Sequence, residues 1–227
     1  MDLKIENKSD LVLITSKIVV TNNPFTYTKN RSIYTRKERL DQTIETIKSV
    51  RKYLPKTFIV LFDNSLFTLD EYICLHTLVD LFVNITYSEE LNYYTDKCIA
   101  KAYGELYQTK YFLDLIKDVK FNNFFKISGR YVLNETFNYS DYDNENNIFK
   151  KNPNVIKYYY TSFYKISKKK FDHFRSTIYE LSEYIKLNRD FDTKDYELFM
   201  PAKLSFKEIK NLGITQNISV WKQFDKI

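Results

Sequence analysis

Four short apolar runs, each separated from the next by a helical pattern or a turn, constrain this chain more than any other feature. The first, Leu11-Val12-Leu13-Ile14-Thr15-Ser16-Lys17-Ile18-Val19-Val20, is β-branched and nearly continuous. A run apolar on both faces reads as a strand inside a parallel sheet, because a half-exposed strand would alternate. Asn22-Asn23-Pro24 then signals a turn, and Leu40, Ile44, Ile47, Val50 and Leu54 recur at helical spacing until Pro55 stops them. Phe58-Ile59-Val60-Leu61-Phe62 predicts a second buried strand, ended by Asp63-Asn64-Ser65. Thr68 and Glu71 form a capping box for a helix through about Val79. Leu81-Phe82-Val83 with Ile85 predicts a third strand, and Ile99, Tyr103, Leu106, Leu113 and Ile116 a long helix. Phe124-Phe125-Lys126-Ile127 predicts the fourth strand, which runs into Ser128-Gly129-Arg130-Tyr131. Alternating strands and helices imply an α/β fold, with the strands parallel through right-handed crossovers.

The later part reads differently. Ser140 to Asn154 is rich in Asp and Asn without periodicity and is expected to be a loop, followed by a strand over Val155 to Ile166. Phe171, Phe174, Ile178, Leu181 and Ile185 give a helical stripe, a shorter helix is expected over Lys194 to Leu204, and a last strand over Ile214 to Trp221. With 227 residues, no repeat and no linker, one domain over 1–227 is expected. No apolar run is long enough to span a bilayer. Met1 to Lys8 is polar and mixed in charge, which predicts no signal peptide and a cytoplasmic setting.

Scarce residue types exclude several chemistries. The 3 glycines, Gly104, Gly129 and Gly213, lie far apart, so neither a Walker loop nor a G-x-G-x-x-G turn exists. Two cysteines and two histidines provide no zinc spacing. In an open parallel sheet, ligands bind at the carboxyl ends of the strands. Thr15, Ser16 and Lys17 follow the first strand, Asp63, Asn64 and Ser65 the second, and Ser128, Gly129 and Arg130 the fourth. Each group alone is explained by turn chemistry; their joint place at one edge points to a site. The basic loop Lys29, Arg31, Arg36, Lys37 and Arg39 faces that edge, where arginine forks can hold phosphate in place of a glycine-rich cradle.

Arg31-Ser32-Ile33-Tyr34, the stretch Glu38 to Val50, Ile59 to Ser65, Gly104-Glu105, Phe125 to Tyr131 and Tyr160 to Ile166 carry a resemblance. The chain resembles the GT-A-type glycosyltransferases of giant DNA viruses, with similarity to the chlorella-virus capsid glycosyltransferases and to related bacterial and phage proteins. The resemblance implies a single-domain GT-A-like, Rossmann-type, mostly parallel central sheet flanked by helices. It implies a nucleotide-diphosphate sugar donor, UDP-sugar favoured, bound by a half over about 8–133, and a glycan or glycoprotein acceptor bound by a half over about 134–227. Thr15, Ser16 and Asp63 then stand where the base and ribose are held. The family's Asp-x-Asp, which binds Mn or Mg, is replaced here by Ser128-Gly129-Arg130. Either Arg130 and Lys126 neutralise the diphosphate directly or acids elsewhere hold the ion, so the metal stays unassigned. Lys17, Arg31, Lys97, Lys101, Lys126 and Arg130 are the candidates for stabilising the leaving group, with Lys97 and Lys101 expected on one helix face. Among Asp190, Asp192, Asp195 and Glu197, Glu197 is the candidate general base of an inverting reaction; a retaining enzyme would need none.

Three other readings stand beside this one, of which a nucleotidyltransferase shares the α/β layout but usually needs a glycine-rich loop after the first strand, and none exists here. A nucleic-acid-binding module would use the basic loop, Lys168-Lys169-Lys170 and the abundant Tyr and Phe, but a net charge of only +6 with interspersed acids disfavours it. A degenerate GT-A domain that binds glycan without catalysis is kept open by the missing Asp-x-Asp. The sequons at Asn134 and Asn217 are read as by-products of an Asn-rich composition.

Overall fold

In the computed structural model, which describes residues 10–25, 28–116, 119–153, 158–187, 195–218 and 223–227, the four apolar runs form neighbouring strands of one sheet. They are β1 (Leu11–Ser16), β2 (Phe58–Asp63), β3 (Leu81–Asn84) and β4 (Asn123–Ser128). β1 pairs in parallel with both β2 and β4, and β2 with β3. Three further strands complete the sheet: β6 (Asn147–Phe149), β7 (Phe163–Ser167) and β8 (Phe206–Glu208), in the order β3-β2-β1-β4-β7-β6-β8. β7 runs antiparallel to β4. The sheet is therefore mostly parallel, as expected, with β7 its one reversed strand, since β6 runs antiparallel to β7 and parallel to β8. A second, three-stranded sheet joins β5 (Val132–Leu133), β9 (Ile214–Ile218) and β10 (Gln223–Lys226).

Alternating strand residues feed two apolar layers. Leu11, Leu13, Val60, Phe62 and Phe124 pack on one face, and Val12, Ile14, Ile59, Leu61, Phe125 and Ile127 on the other. The first face is covered by α4 (Lys101–Leu115), α5 (Phe171–Leu187) and α6 (Asp195–Lys203), through Leu106, Phe112, Phe174, Ile178, Leu181 and Met200. The second is covered by α1 (Arg36–Tyr53) and α2 (Leu69–Leu78), through Ile47, Val50 and Leu75. Thr35 and Thr68 close capping boxes with Glu38 and Glu71, which define where these two helices start. No helix among the described residues is long and apolar enough to cross a membrane.

Several elements differ from expectation. A short helix α3 (Glu89–Asn92) continues into a π-helical turn over Tyr93–Lys97, a segment without a helical apolar stripe. Non-helical residues 98–100 separate this turn from α4, so Lys97 and Lys101 do not share a helix face. The Asp/Asn-rich loop contains β6, three residues whose polar flanks hide them. The strand expected over Val155 to Ile166 is confined, among the described residues, to Phe163–Ser167 with one isolated bridge at Tyr159. Met1 to Lys8, Asp190, Asp192 and the stretch from Ser219 to Trp221 lie outside the described residues.

Candidate functional site at the carboxyl edge of the sheet

The strand register aligns the three polar groups that follow β1, β2 and β4. Ser16 stands opposite Asp63, and Thr15 opposite Ser128. Gly129 lets the ends of β1 and β4 close: its N–H donates to the Thr15 carbonyl at 2.8 Å, and a Cβ there would meet Ser16 Cβ at 2.9 Å. Thr43 of α1 ties in from the other face, with its hydroxyl 3.0 Å from both Ser16 Oγ and the Gly129 carbonyl oxygen. Gln108 of α4 donates to the Ser16 carbonyl at 2.5 Å.

Asp63 is fully buried and organises both loops. Its carboxylate accepts from Ile18 N–H at 2.9 Å and from Ser65 N–H at 2.6 Å. Burial raises its pKa, opposed by the Ser65 hydrogen bonds and by Lys17. Ser65 Oγ accepts from Val19 N–H at 2.9 Å. Asn64 donates to Asn92 Oδ1 and Thr95 Oγ1, both at 2.8 Å, fastening the edge to the π-helical turn. Lys17 forms an ion pair with Asp96 at 3.0 Å on the same turn. These side chains shape the edge more than they present themselves from it.

The basic loop is corrected by the structure. Arg31 is buried and donates to the carbonyls of Asn23 (2.8 Å), Thr95 (3.0 Å) and Cys98, with its guanidinium 4.2 Å from the Phe25 ring centroid. A guanidinium that satisfies three backbone carbonyls from inside the protein is a clamp between loop and turn, not a phosphate ligand. Arg36 pairs with Glu71, and Lys37 with Asp41. Arg39 is buried and donates to the Lys17 carbonyl at 2.8 Å and 2.5 Å and to Ser32 Oγ at 3.1 Å. Burial, reinforced by Arg130, holds the Arg39 pKa down to about 9. Lys97 is exposed. The run Lys168–Lys170 follows β7, whose end pairs with the start of β4, so it lies at the opposite edge.

Lys126 also differs from expectation. It is fully buried on the α4 face of β4, and its ammonium donates to Ser128 Oγ at 2.8 Å and to the Thr161 carbonyl at 2.9 Å and pairs with Glu105 Oε1. Two hydrogen bonds and an ion pair engage the buried ammonium, so this lysine holds its neighbours in place. Glu105, on α4, also accepts from Ser128 Oγ at 3.1 Å. Sequence reasoning missed Glu105 as a site residue. The one available signal is that a lysine inside an apolar strand needs a counter-charge on the facing helix.

Lys101 stands one turn before Glu105, on the same face of α4, at the helix start. It is half-buried, and among the described residues it makes no hydrogen bond or ion pair. Burial lowers its pKa to about 7, helped by Arg130 and Arg39 and opposed by Glu197 and Glu105. Arg130 is half-buried, 5.5 Å from the Tyr131 ring centroid. The charge of Glu197, on α6, raises the pKa values of Lys101, Lys126 and Tyr131. Among the described residues, no group of three or more His, Cys, Asp or Glu is placed to hold a metal ion. The side chains that converge are mainly cations, and these residues do not fit a divalent ion.

No protein-family model matches the chain, and no curated protein matches it in sequence. Solved structures match it in fold. The glycosyltransferase GlyE of Streptococcus pneumoniae TIGR4 aligns with a TM-score of 0.54 at 10% identity, over 90% of this chain and 46% of that chain. Its apo form gives 0.51 at 12% identity, with the same coverage of 90% and 46%. The galactosyltransferase LgtC, in complex with donor and acceptor sugar analogs, gives 0.51 at 12% identity, over 86% of this chain and 70% of that chain. The chain thus spans under half the length of the GlyE chain. Together with the mostly parallel seven-stranded sheet and its flanking helices, these likenesses show that the chain has a GT-A-like fold.

Proposed function

We propose that this chain is a glycosyltransferase. It moves a sugar from a nucleotide-diphosphate sugar, UDP-sugar first among the candidates, to a hydroxyl of a glycan or glycoprotein, with viral capsid glycan as the setting that the sequence resemblance favours. The observation that carries this reading is the convergence of three strand-end loops with Lys101, Arg130, Glu105 and Glu197 at the carboxyl edge of a GT-A-like sheet. LgtC, of like fold, was solved with donor and acceptor sugar analogs.

The loops 15–18 and 63–65, braced by Asp63, frame the base and ribose. Arg130 and Lys101 face the diphosphate. In the transfer the anomeric C–O bond to the diphosphate breaks, and a bond to the acceptor oxygen forms. The leaving nucleoside diphosphate gains negative charge, which pre-placed cations stabilise. In an inverting course, the acceptor proton passes to a carboxylate. Glu105 is held by Lys126 and Ser128, so Glu197 takes that role. Lys126 is a positioning residue in this scheme.

Nucleoside diphosphate release from a panel of UDP- and GDP-sugars, with and without glycan acceptors, tests the reading. Turnover of one donor is expected, and Arg130→Ala should lower kcat/KM by about a hundredfold, the usual effect of removing a charge-stabilising donor. An unchanged kcat/KM would remove Arg130 from the site. Glycan binding without turnover of any donor would favour the non-catalytic reading, which the arginine at the Asp-x-Asp position supports.

A further inference from the structure

We propose that the outward face of α2 and the free edge of β3 form the interface of a symmetric dimer, with a second copy of this chain as the occupant. The proposal goes beyond the transfer reaction and does not depend on it.

Only one of the ten residues of α2, Leu75, is buried, in the apolar layer that holds Ile59, Leu61 and Phe82. On the outward side Leu69, Tyr72, Ile73 and His76 stand at i, i+3, i+4 and i+7, the spacing of one helix face. Leu69 is 73% exposed, Ile73 51% and Tyr72 38%, and Leu66, just before the helix, is 74% exposed. A stripe of this spacing ordinarily faces a core, and here it faces solvent. The four apolar side chains leave roughly 400 Å² in water, a patch of the size that marks an interaction site.

The sheet adds a second, independent observation. β3 is the last strand on its side, and among the described residues no strand pairs with its outer edge. An unpaired edge is a template for another strand. Aromatic contacts join the edge to the stripe: the Tyr72 ring lies 5.1 Å from that of Phe82 on β3, and the Phe67 ring 5.5 Å from it. Stripe and edge are therefore one continuous surface.

Both features complement themselves. A two-fold axis normal to the sheet sets β3 antiparallel to its copy and lays the two α2 helices together on one face, apolar stripe against apolar stripe. Charge agrees with a copy as the occupant. The chain carries +6, so two copies repel except where local charge cancels. Around this surface it cancels, because Arg36 pairs with Glu71 and Arg51 with Asp80. Asp70, the other acid of α2, lies off the stripe. Area agrees as well. The stripe supplies about half of the roughly 800 Å² that each partner of a stable interface buries, and the edge of β3 with the flanks of α2 supplies the rest.

Sedimentation velocity of the full chain over a dilution series tests this. Particles of two chains are expected at high micromolar concentration, returning to one chain on dilution. Leu69→Glu and Ile73→Glu each place a charge in the interface twice, because the axis repeats every position, and each should weaken the dimer by about a hundredfold or more. Both positions are exposed, so thermal melts of the variants should match that of the unaltered protein. Amide exchange over β3 should slow as chain concentration rises, and should not do so in the variants. A chain that stays single at every concentration would overturn the proposal and leave this face to a different partner. A dimer that persists in both variants would overturn it by placing the contact elsewhere on the molecule.

Discussion

Lys101 is the residue where physics and function meet most closely. Burial beside Arg130 and Arg39, against the pull of Glu197 and Glu105, brings its ammonium from an ordinary 10.5 down to about 7. Between those values the unfolded chain binds a proton that the folded chain does not. The ligand-free protein should therefore gain stability from this group as pH rises from about 7 toward 10.5. Binding of a diphosphate has the opposite preference, since it favours the charged lysine. Nucleotide affinity should fall as pH rises above about 7, with proton uptake on binding. Calorimetry in buffers of different ionisation enthalpy reads that uptake, and Lys101→Gln should flatten the profile. A profile unchanged by the substitution would show that another group titrates. At this scale the sequence was half legible. Thr15, Ser16, Asp63, Ser128, Gly129 and Arg130 were located at the edge by their places after apolar runs. Arg31, Arg39 and Lys126 were legible as cations, but whether a cation faces ligand or backbone carbonyls depends on distant chain segments. Glu105 could not be chosen from 29 acids without knowing which helix crosses β4.

Elements were legible where one local pattern dominates. β1, β2 and β4 are continuous apolar runs, α1 and α2 have explicit capping boxes, and α5 has a clean buried stripe. Less was legible where tertiary contacts decide. The π-helical turn over Tyr93–Lys97 is held from outside by Arg31, Asn64, Lys17, Thr21 and Asn23. Extra-wide helical turns recur at functional sites, and here the turn fastens the loop after β1 to the carboxyl edge of the sheet. Arg31→Ala removes a buried cation from three carbonyls and should destabilise the fold by about 2–3 kcal/mol. Chemical denaturation measures it. A loss near zero would mean that the loop and turn are held without this clamp. Similarly, the reversed direction of β7 had no local signal, since a buried strand reads alike in either direction.

For the whole molecule, the two faces of the GT-A-like sheet carry different side chains. The α1 and α2 face carries the clamps and caps. The α4, α5 and α6 face delivers Lys101, Glu105 and Glu197 to the edge where Arg130 stands. β4 and β7, from either side of residue 133, are adjacent strands of one sheet. The central claim is that a nucleotide sugar's diphosphate occupies this edge. A crystal structure of the protein with UDP tests it most directly. The account predicts the uracil and ribose between the loops after β1 and β2, and the phosphates within hydrogen-bond reach of Lys101 and Arg130. UDP bound at the opposite edge, or with its phosphates away from both side chains, would contradict it.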